Sequence, residues 1–148
     1  MHQSDKSWTL SAILLATAGA SLVLMGVYFL WLRPPLLPED IRFMALSDAE
    51  LQAVRPNLEA WLSHVFQVMG GFVAATGVLT ITLAATSFRA HRRGAGIGAL
   101  VAGIASIGLM AGVNFAIDSD FKWLQLGMAL IWPISLAVFW LEENRKAA

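Results

Sequence analysis

Cysteine is absent from the 148 residues. That excludes structural disulfides, thiolate metal sites and thiol redox chemistry, and with them the four-helix membrane enzymes that shuttle disulfides. Charge is scarce: 14% of residues are Asp, Glu, Lys or Arg, and ten of each sign cancel to zero. Soluble domains carry about a quarter charged residues. The zero balance leaves no electrostatic footprint for nucleic acid, so none is expected as a partner. His2, His64 and His91 are the only histidines, and no two stand at ligand spacing on one helix. A His-based metal site or bis-His haem is therefore not expected. P-loop, HExxH and EF-hand patterns are missing. The string Gly94-Ala95-Gly96-Ile97-Gly98-Ala99 fits GxGxxA but follows an arginine turn, where a dinucleotide fingerprint needs a preceding strand. Ser63 and His64 stand beside several outer acids but show no nucleophile elbow, and adjacent helical residues point apart. No cofactor and no metal are expected, and enzymatic activity is left open.

What remains is apolar. The chain is 57% hydrophobic, with a mean hydropathy of +0.66. A chain this short buries only about 70% of its surface on folding, so the bilayer is the natural solvent for the surplus. Gaps between formal charges mark the spans. Lys6 to Arg33 leaves 26 uncharged residues, Glu59 to Arg89 leaves 29, Arg93 to Asp118 leaves 24 and Lys122 to Glu142 leaves 19. About 20 apolar residues cross a hydrocarbon layer of ~30 Å as a helix. Lipid-exposed backbone must be helical because no water satisfies its polar groups. The expectation is an all-α integral membrane protein, an antiparallel four-helix bundle in one domain over 1–148. Its spans lie near 9–32, 62–88, 95–117 and 123–141, with an outer loop over 33–60. The first span is read as an uncleaved signal-anchor, because its apolar run continues to Leu32, beyond a 7–15-residue signal core. Pro133 removes the helical bond to the Ala129 carbonyl and is expected to kink the fourth span.

Arg89, Arg92 and Arg93 crowd the hairpin between spans two and three, with no acid among them. With the termini and that hairpin on one side, six Lys/Arg lie there against four on the other. The positive-inside rule puts the basic side in the cytoplasm, giving cytoplasmic termini in a bacterial-type inner (plasma) membrane. Trp31, Trp61 and Trp123 then fall at the outer interface and Trp8 and Trp140 at the inner one, as interfacial indoles prefer. Trp132 stands mid-span beside Pro133, where packing around the kink is the expectation and lining a cavity the alternative.

The outer loop carries helix-start signals. Pro38 followed by Glu39 and Asp40 suits a first turn, Ser47-Asp48-Ala49-Glu50 is a capping box, and Pro56 is read as restarting a helix into span two. The expectation is two short amphipathic helices on the outer surface. Gly94/Gly98 and Gly108/Gly112 in span three have small-xxx-small spacing. With Gly70, Gly71 and Gly77 in span two, they predict that spans two and three make the tightest contact, or that this surface dimerises the protein.

Polar side chains collect at the outer ends. Tyr28 and Arg33 end span one, His64 and Gln67 lie on span two, and Asn114 and Asp118 close span three. Spacings of three and four put each of the last two pairs on one helix face. These six are the candidate ligand-binding residues, and Glu59, Asp120 and Gln125 stand nearby. Helix-to-helix hydrogen bonding at the interface is the competing reading.

Span two reads Phe66-Gln67-Val68-Met69-Gly70-Gly71-Phe72, then Ala75-Thr76-Gly77. With four spans and a long first outer loop, it resembles the DoxX-like superfamily of small bacterial membrane proteins. The resemblance implies the four-span fold. Some members are associated with quinone-linked oxidation, but no catalytic residue carries over. The leading functional expectation is a non-enzymatic accessory or assembly subunit, with the lipid bilayer, a membrane protein partner or a second copy as its contacts. The alternative is an outer-leaflet pocket that binds or acts on a small amphipathic molecule such as a quinone or lipid.

Overall fold

A computed structural model describes residues 7–147, and all regular structure in them is helical. His2 and Lys6 lie outside the described residues. Helix α1 (Leu10–Val27) continues through a π-helical turn, Tyr28–Leu32. Helix α2 (Pro38–Met44) is short. Helix α3 (Asp48–Leu83) continues through a second π segment, Ala84–Phe88. Helices α4 (Arg93–Gly103) and α5 (Leu109–Ala116) are joined by a third, Ile104–Gly108, and α6 covers Lys122–Ala147. Four stretches are long and apolar enough to cross a membrane: Leu10–Leu32, Ala49–Phe88, Arg93–Ala116 and Lys122–Arg145.

Local chemistry sets the boundaries. Thr9 caps α1, its hydroxyl accepting from the Ala12 amide at 3.3 Å. Pro34 and Pro35 force Arg33 into an extended conformation and end the helix there. Pro38 occupies the first turn of α2, and Asp40 Oδ2 accepts from the Leu37 amide at 2.9 Å. Ala45 stops that helix in a left-handed conformation, φ 51°. The capping box holds: Glu50 Oε2 accepts from the Ser47 amide at 3.0 Å, and Ser47 Oγ accepts from the Glu50 amide at 3.4 Å.

Two expectations need correction. The outer loop contains one separate short helix, α2, not two. From Asp48 onward the chain is a single 36-residue helix that passes through Pro56 without restarting. The residues from Gln52 to Asn57 are exposed, so water can satisfy the Gln52 carbonyl that Pro56 leaves without a donor. The whole stretch from Ala49 to Phe88 has 40 residues and is about 60 Å long, twice a hydrocarbon layer.

The second correction concerns the tightest contact. It lies between α1 and α3, not between spans two and three. A Cβ added to Gly26 would stand 2.5 Å from the Ala74 nitrogen and 2.7 Å from the Gly70 carbonyl oxygen. One added to Gly77 would stand 2.6 Å from the Gly19 carbonyl oxygen. Gly19 and Gly26 on α1 therefore meet Gly77 and Gly70 on α3 backbone to backbone. Both pairs are spaced by seven residues, and two turns return each glycine to the same face.

Helix α1 also packs along α6, and α6 along α4 and α5. The inward stripe of α6 carries Ala129, Trp132, Leu136 and Phe139, all buried. Trp132 fills the notch at Gly103, and its indole N–H donates to the Ala99 carbonyl at 2.8 Å. Phe139 fills a similar notch at Gly96. Span three accordingly leans on α6 and meets the second long helix chiefly at the hairpin, where Ala84–Phe88 touches α4. Two of the π segments contain a hydroxyl that back-bonds into the preceding turn. Thr86 Oγ1 donates to the Thr82 carbonyl at 2.7 Å, and Ser106 Oγ to the Ala102 carbonyl at 2.6 Å. Such bonds compete with the amide ladder and bend helices.

Candidate functional site

The outer polar residues are organised around Arg33 and α2. Because the two prolines turn the chain, Arg33 folds back over α3. Its guanidinium lies 3.7 Å from the Phe66 ring centroid. NH2 donates to Asp40 Oδ2 at 2.9 Å, and NH1 to the Pro34 carbonyl at 2.9 Å. The Arg33 side chain is only 9% exposed, so the ion pair and the stacking both act where water competes weakly. Tyr28, half-buried, sits edge-on to Phe29 at 5.7 Å, and Phe29 in turn meets Phe66.

Helix α2 straps the turn between α5 and α6. Arg42 NH2 donates to Asp120 Oδ1 at 2.8 Å. Glu39, 3% exposed, accepts from Ser119 Oγ at 3.3 Å. The hydrogen bond to Asp120, then its charge, raises the Arg42 guanidinium further above its usual range. Asp118 occupies a left-handed turn, φ 52°, and pairs with Lys122. That hydrogen bond and the ammonium charge hold the Asp118 carboxyl below the usual carboxylate range.

Of the six candidate residues, Arg33 and Tyr28 share one neighbourhood through Phe29. His64 and Gln67 are exposed on α3. Asn114 turns back on its own helix, Nδ2 donating to the Met110 carbonyl at 2.9 Å. Among the described residues, no hydrogen bond or ion pair joins His64 or Gln67 to Asn114 or Asp118.

A polar cluster at the opposite end joins three chain segments, and sequence reading did not find it. Ser11 Oγ donates to Glu142 Oε2 at 2.5 Å, and the Ser11 amide to Oε1 at 3.4 Å. His91 Nε2 lies 3.5 Å from the same Oε2, and its ring stacks on Phe139 at 5.0 Å. Ser135 Oγ donates to the Ser11 carbonyl at 2.9 Å. The serine hydroxyl thus serves the carboxylate rather than the imidazole, so the arrangement is a tie and not a Ser–His relay. The only available signal was that Ser11, His91 and Glu142 all fall at inner ends under the assumed topology. Among the described residues, no three His, Asp or Glu side chains gather closely enough to hold a metal ion.

Among the described residues, two surface cavities stand out. One, of about 280 Å³, lies under α2 and is lined by Asp40, Phe43, Met44, Trp61 and Phe66 among others. The other, of about 380 Å³, lies between span three and α6. No family model, curated protein or solved structure matches this chain.

Proposed function

We propose that the chain is a four-span integral membrane protein, an antiparallel bundle with its termini and Arg-rich hairpin in the cytoplasm of a bacterial-type cell. On this reading it acts as a non-enzymatic accessory or assembly subunit. Opposed pairings support the antiparallel order: Gly19 with Gly77 and Gly26 with Gly70, Gly103 with Trp132 and Gly96 with Phe139. Its relation to the DoxX-like superfamily is likewise a proposal, supported by the four long apolar helices and the long loop between the first two.

One observation carries the assembly role. The glycines of α1 and two of those on span three (Gly96 and Gly103) are filled by neighbouring helices, and Gly108 meets only a carbonyl of its own helix, whereas Gly94, Gly98 and Gly112 are unoccupied. A Cβ at any of those three meets nothing within 4 Å among the described residues. Glycine at four-residue spacing on a lipid-facing surface suits close approach by another helix. The test is native electrophoresis after mild solubilisation, comparing wild type with Gly98→Leu. The reading expects a larger assembly that Gly98→Leu dissociates while the melting temperature holds. A wild-type chain migrating alone would sink it.

A second reading, an outer-leaflet pocket for a small amphipathic molecule such as a quinone or lipid, is favoured by the cavity under α2. Apolar and aromatic side chains form its wall, and Asp40 supplies one acceptor.

A further inference from the structure

The larger cavity gathers two backbone irregularities from two different helices. Ile104, Ile107 and Gly108 of the π segment line one wall, and Ala129, Trp132 and Pro133 of α6 line the other. Trp132 is ten residues beyond Lys122, where α6 begins. At 1.5 Å per residue this is about 15 Å in, near the middle of a hydrocarbon layer. The volume of about 380 Å³ falls within the range of small-molecule sites, roughly 300–1,000 Å³. Wide π turns are frequent at functional positions.

The side chains of the wall are apolar, and the backbone of α6 contributes an acceptor. Pro133 has no amide hydrogen, so the Ala129 carbonyl lacks its helical donor, and both residues line the cavity. Water is scarce at that depth, and an unmatched carbonyl there costs free energy that a donor recovers. Neighbouring groups set the shape of whatever donates. Gly108 and Gly112 leave part of one wall without side chains, and Phe115 and Trp132 add aromatic rings to the lining. Both features favour a flat apolar body.

We propose that this cavity is an intramembrane binding site for a lipid-soluble phenol or alcohol, one hydroxyl on an otherwise apolar body, donating to the Ala129 carbonyl. Gly112 is shared with the assembly face, but that role is tested at Gly98, which lies outside the cavity wall, so the two readings can be separated. The apolar side chains of the wall disfavour an ionised or multiply polar molecule. An ether of the same shape fits the space but has no hydrogen to give.

The test uses the full chain in lipid nanodiscs and a diazirine-bearing 4-octylphenol, with adducts mapped by mass spectrometry. The expected adducts fall on Leu100–Phe115 and Leu126–Leu136. Excess 4-octylphenol should displace them at concentrations at least tenfold lower than its methyl ether requires. Gly112→Leu should abolish them, because a Cβ there meets nothing within 4 Å among the described residues and the longer side chain fills the cavity. If that variant melts early, Leu130→Trp takes its place from the opposite wall. Pro133→Ala restores the amide donor and should bring phenol and ether to equal potency. Adducts spread evenly over all four lipid-facing helices would overturn the site. Equal displacement by phenol and ether in the wild type would overturn donor recognition, as would a phenol preference that survives Pro133→Ala.

Discussion

Substituting Gly26 by alanine separates helix packing from helix propensity when it is compared with the same change at Gly98. Both positions are helical, so both variants gain the propensity of alanine over glycine, about 0.8–1.0 kcal/mol. That gain drops out of the difference. At Gly98 the new methyl meets nothing within 4 Å among the described residues, whereas at Gly26 it stands 2.5 Å from the Ala74 nitrogen and 2.7 Å from the Gly70 oxygen. These are backbone atoms, which no rotamer change can move aside. Relief requires α1 and α3 to separate, and overpacking of this kind costs about 1–3 kcal/mol. Gly26→Ala should therefore be less stable than Gly98→Ala by about that amount. Ala74→Gly in addition should restore only part of the loss, because it removes a methyl 2.6 Å away but leaves both backbone contacts. Steric trapping in bicelles reads the difference at equilibrium. Equal stability of the two alanine variants would refute the backbone-to-backbone pairing of α1 and α3.

Trp132→Phe keeps the ring in the Gly103 notch but removes the indole donor to the Ala99 carbonyl. Unfolding titration should show a loss of about 0.5–1.5 kcal/mol, the net worth of one such bond, and no loss would mean that the bond contributes nothing. Arg33→Ala leaves Asp40 without its cation and Phe66 without its stack. A cost of about 1.5–3 kcal/mol is expected for a charged hydrogen bond, with faster proteolysis between Arg33 and Ser47, and Arg33→Lys should not rescue it, since lysine lacks the planar fork. Asp118 has a lowered folded pKa, so its pairing with Lys122 is complete above the unfolded carboxylate value and weakens as pH falls through the folded one. Protection of the amides in the 118–122 turn, taken relative to the intrinsic exchange rate at each pH, should fall only below about pH 4, and a fall already near neutrality would assign the turn's stability to another group. An accessibility tag after Ala148 or within 89–93 should be protected from external reagent, and one near Ser47 should be labelled. Labelling in the reverse pattern would invert the proposed orientation.

The four long helices were legible because a bilayer leaves one simple trace, the distance between charges. The 29 uncharged residues from Glu59 to Arg89 exceed the ~20 that a span needs, and Ser47 with Glu50 showed where a helix begins. What could not be read was adjacency. Glycines spaced by four in span three drew the prediction toward spans two and three, while the glycines that matter for packing inside the chain stand seven apart on α1 and α3. Seven-residue spacing carries no weight until the partner helix is known to offer the same spacing. The π segments were invisible for a different reason: one extra residue in an apolar turn changes neither composition nor hydropathy. Among polar groups, the start of α2 was legible from Pro38 and Asp40, because its chemistry is local. Arg33 with Asp40, Arg42 with Asp120 and Ser11 with Glu142 depend on where a turn delivers a side chain, and no spacing rule records that.

These ties account for how span three is held. A helix in lipid gains little from apolar contact alone, because lipid tails offer the same contact. Span three therefore needs specific attachments, and they lie on one side and at both ends. Trp132 and Phe139 enter its notches at Gly103 and Gly96. At one end, Arg42 and Glu39 of α2 hold the turn that follows it. At the other, Arg93 bonds Glu143 of α6 at 3.1 Å. The strap from α2 thus substitutes for direct packing between spans two and three, which is why the outer face of span three can remain glycine-lined and open without the helix drifting free. The assembly reading draws on that open face, and the intramembrane site on the side that leans against α6. Because Gly98 belongs only to the first and Pro133 only to the second, the two can fail separately.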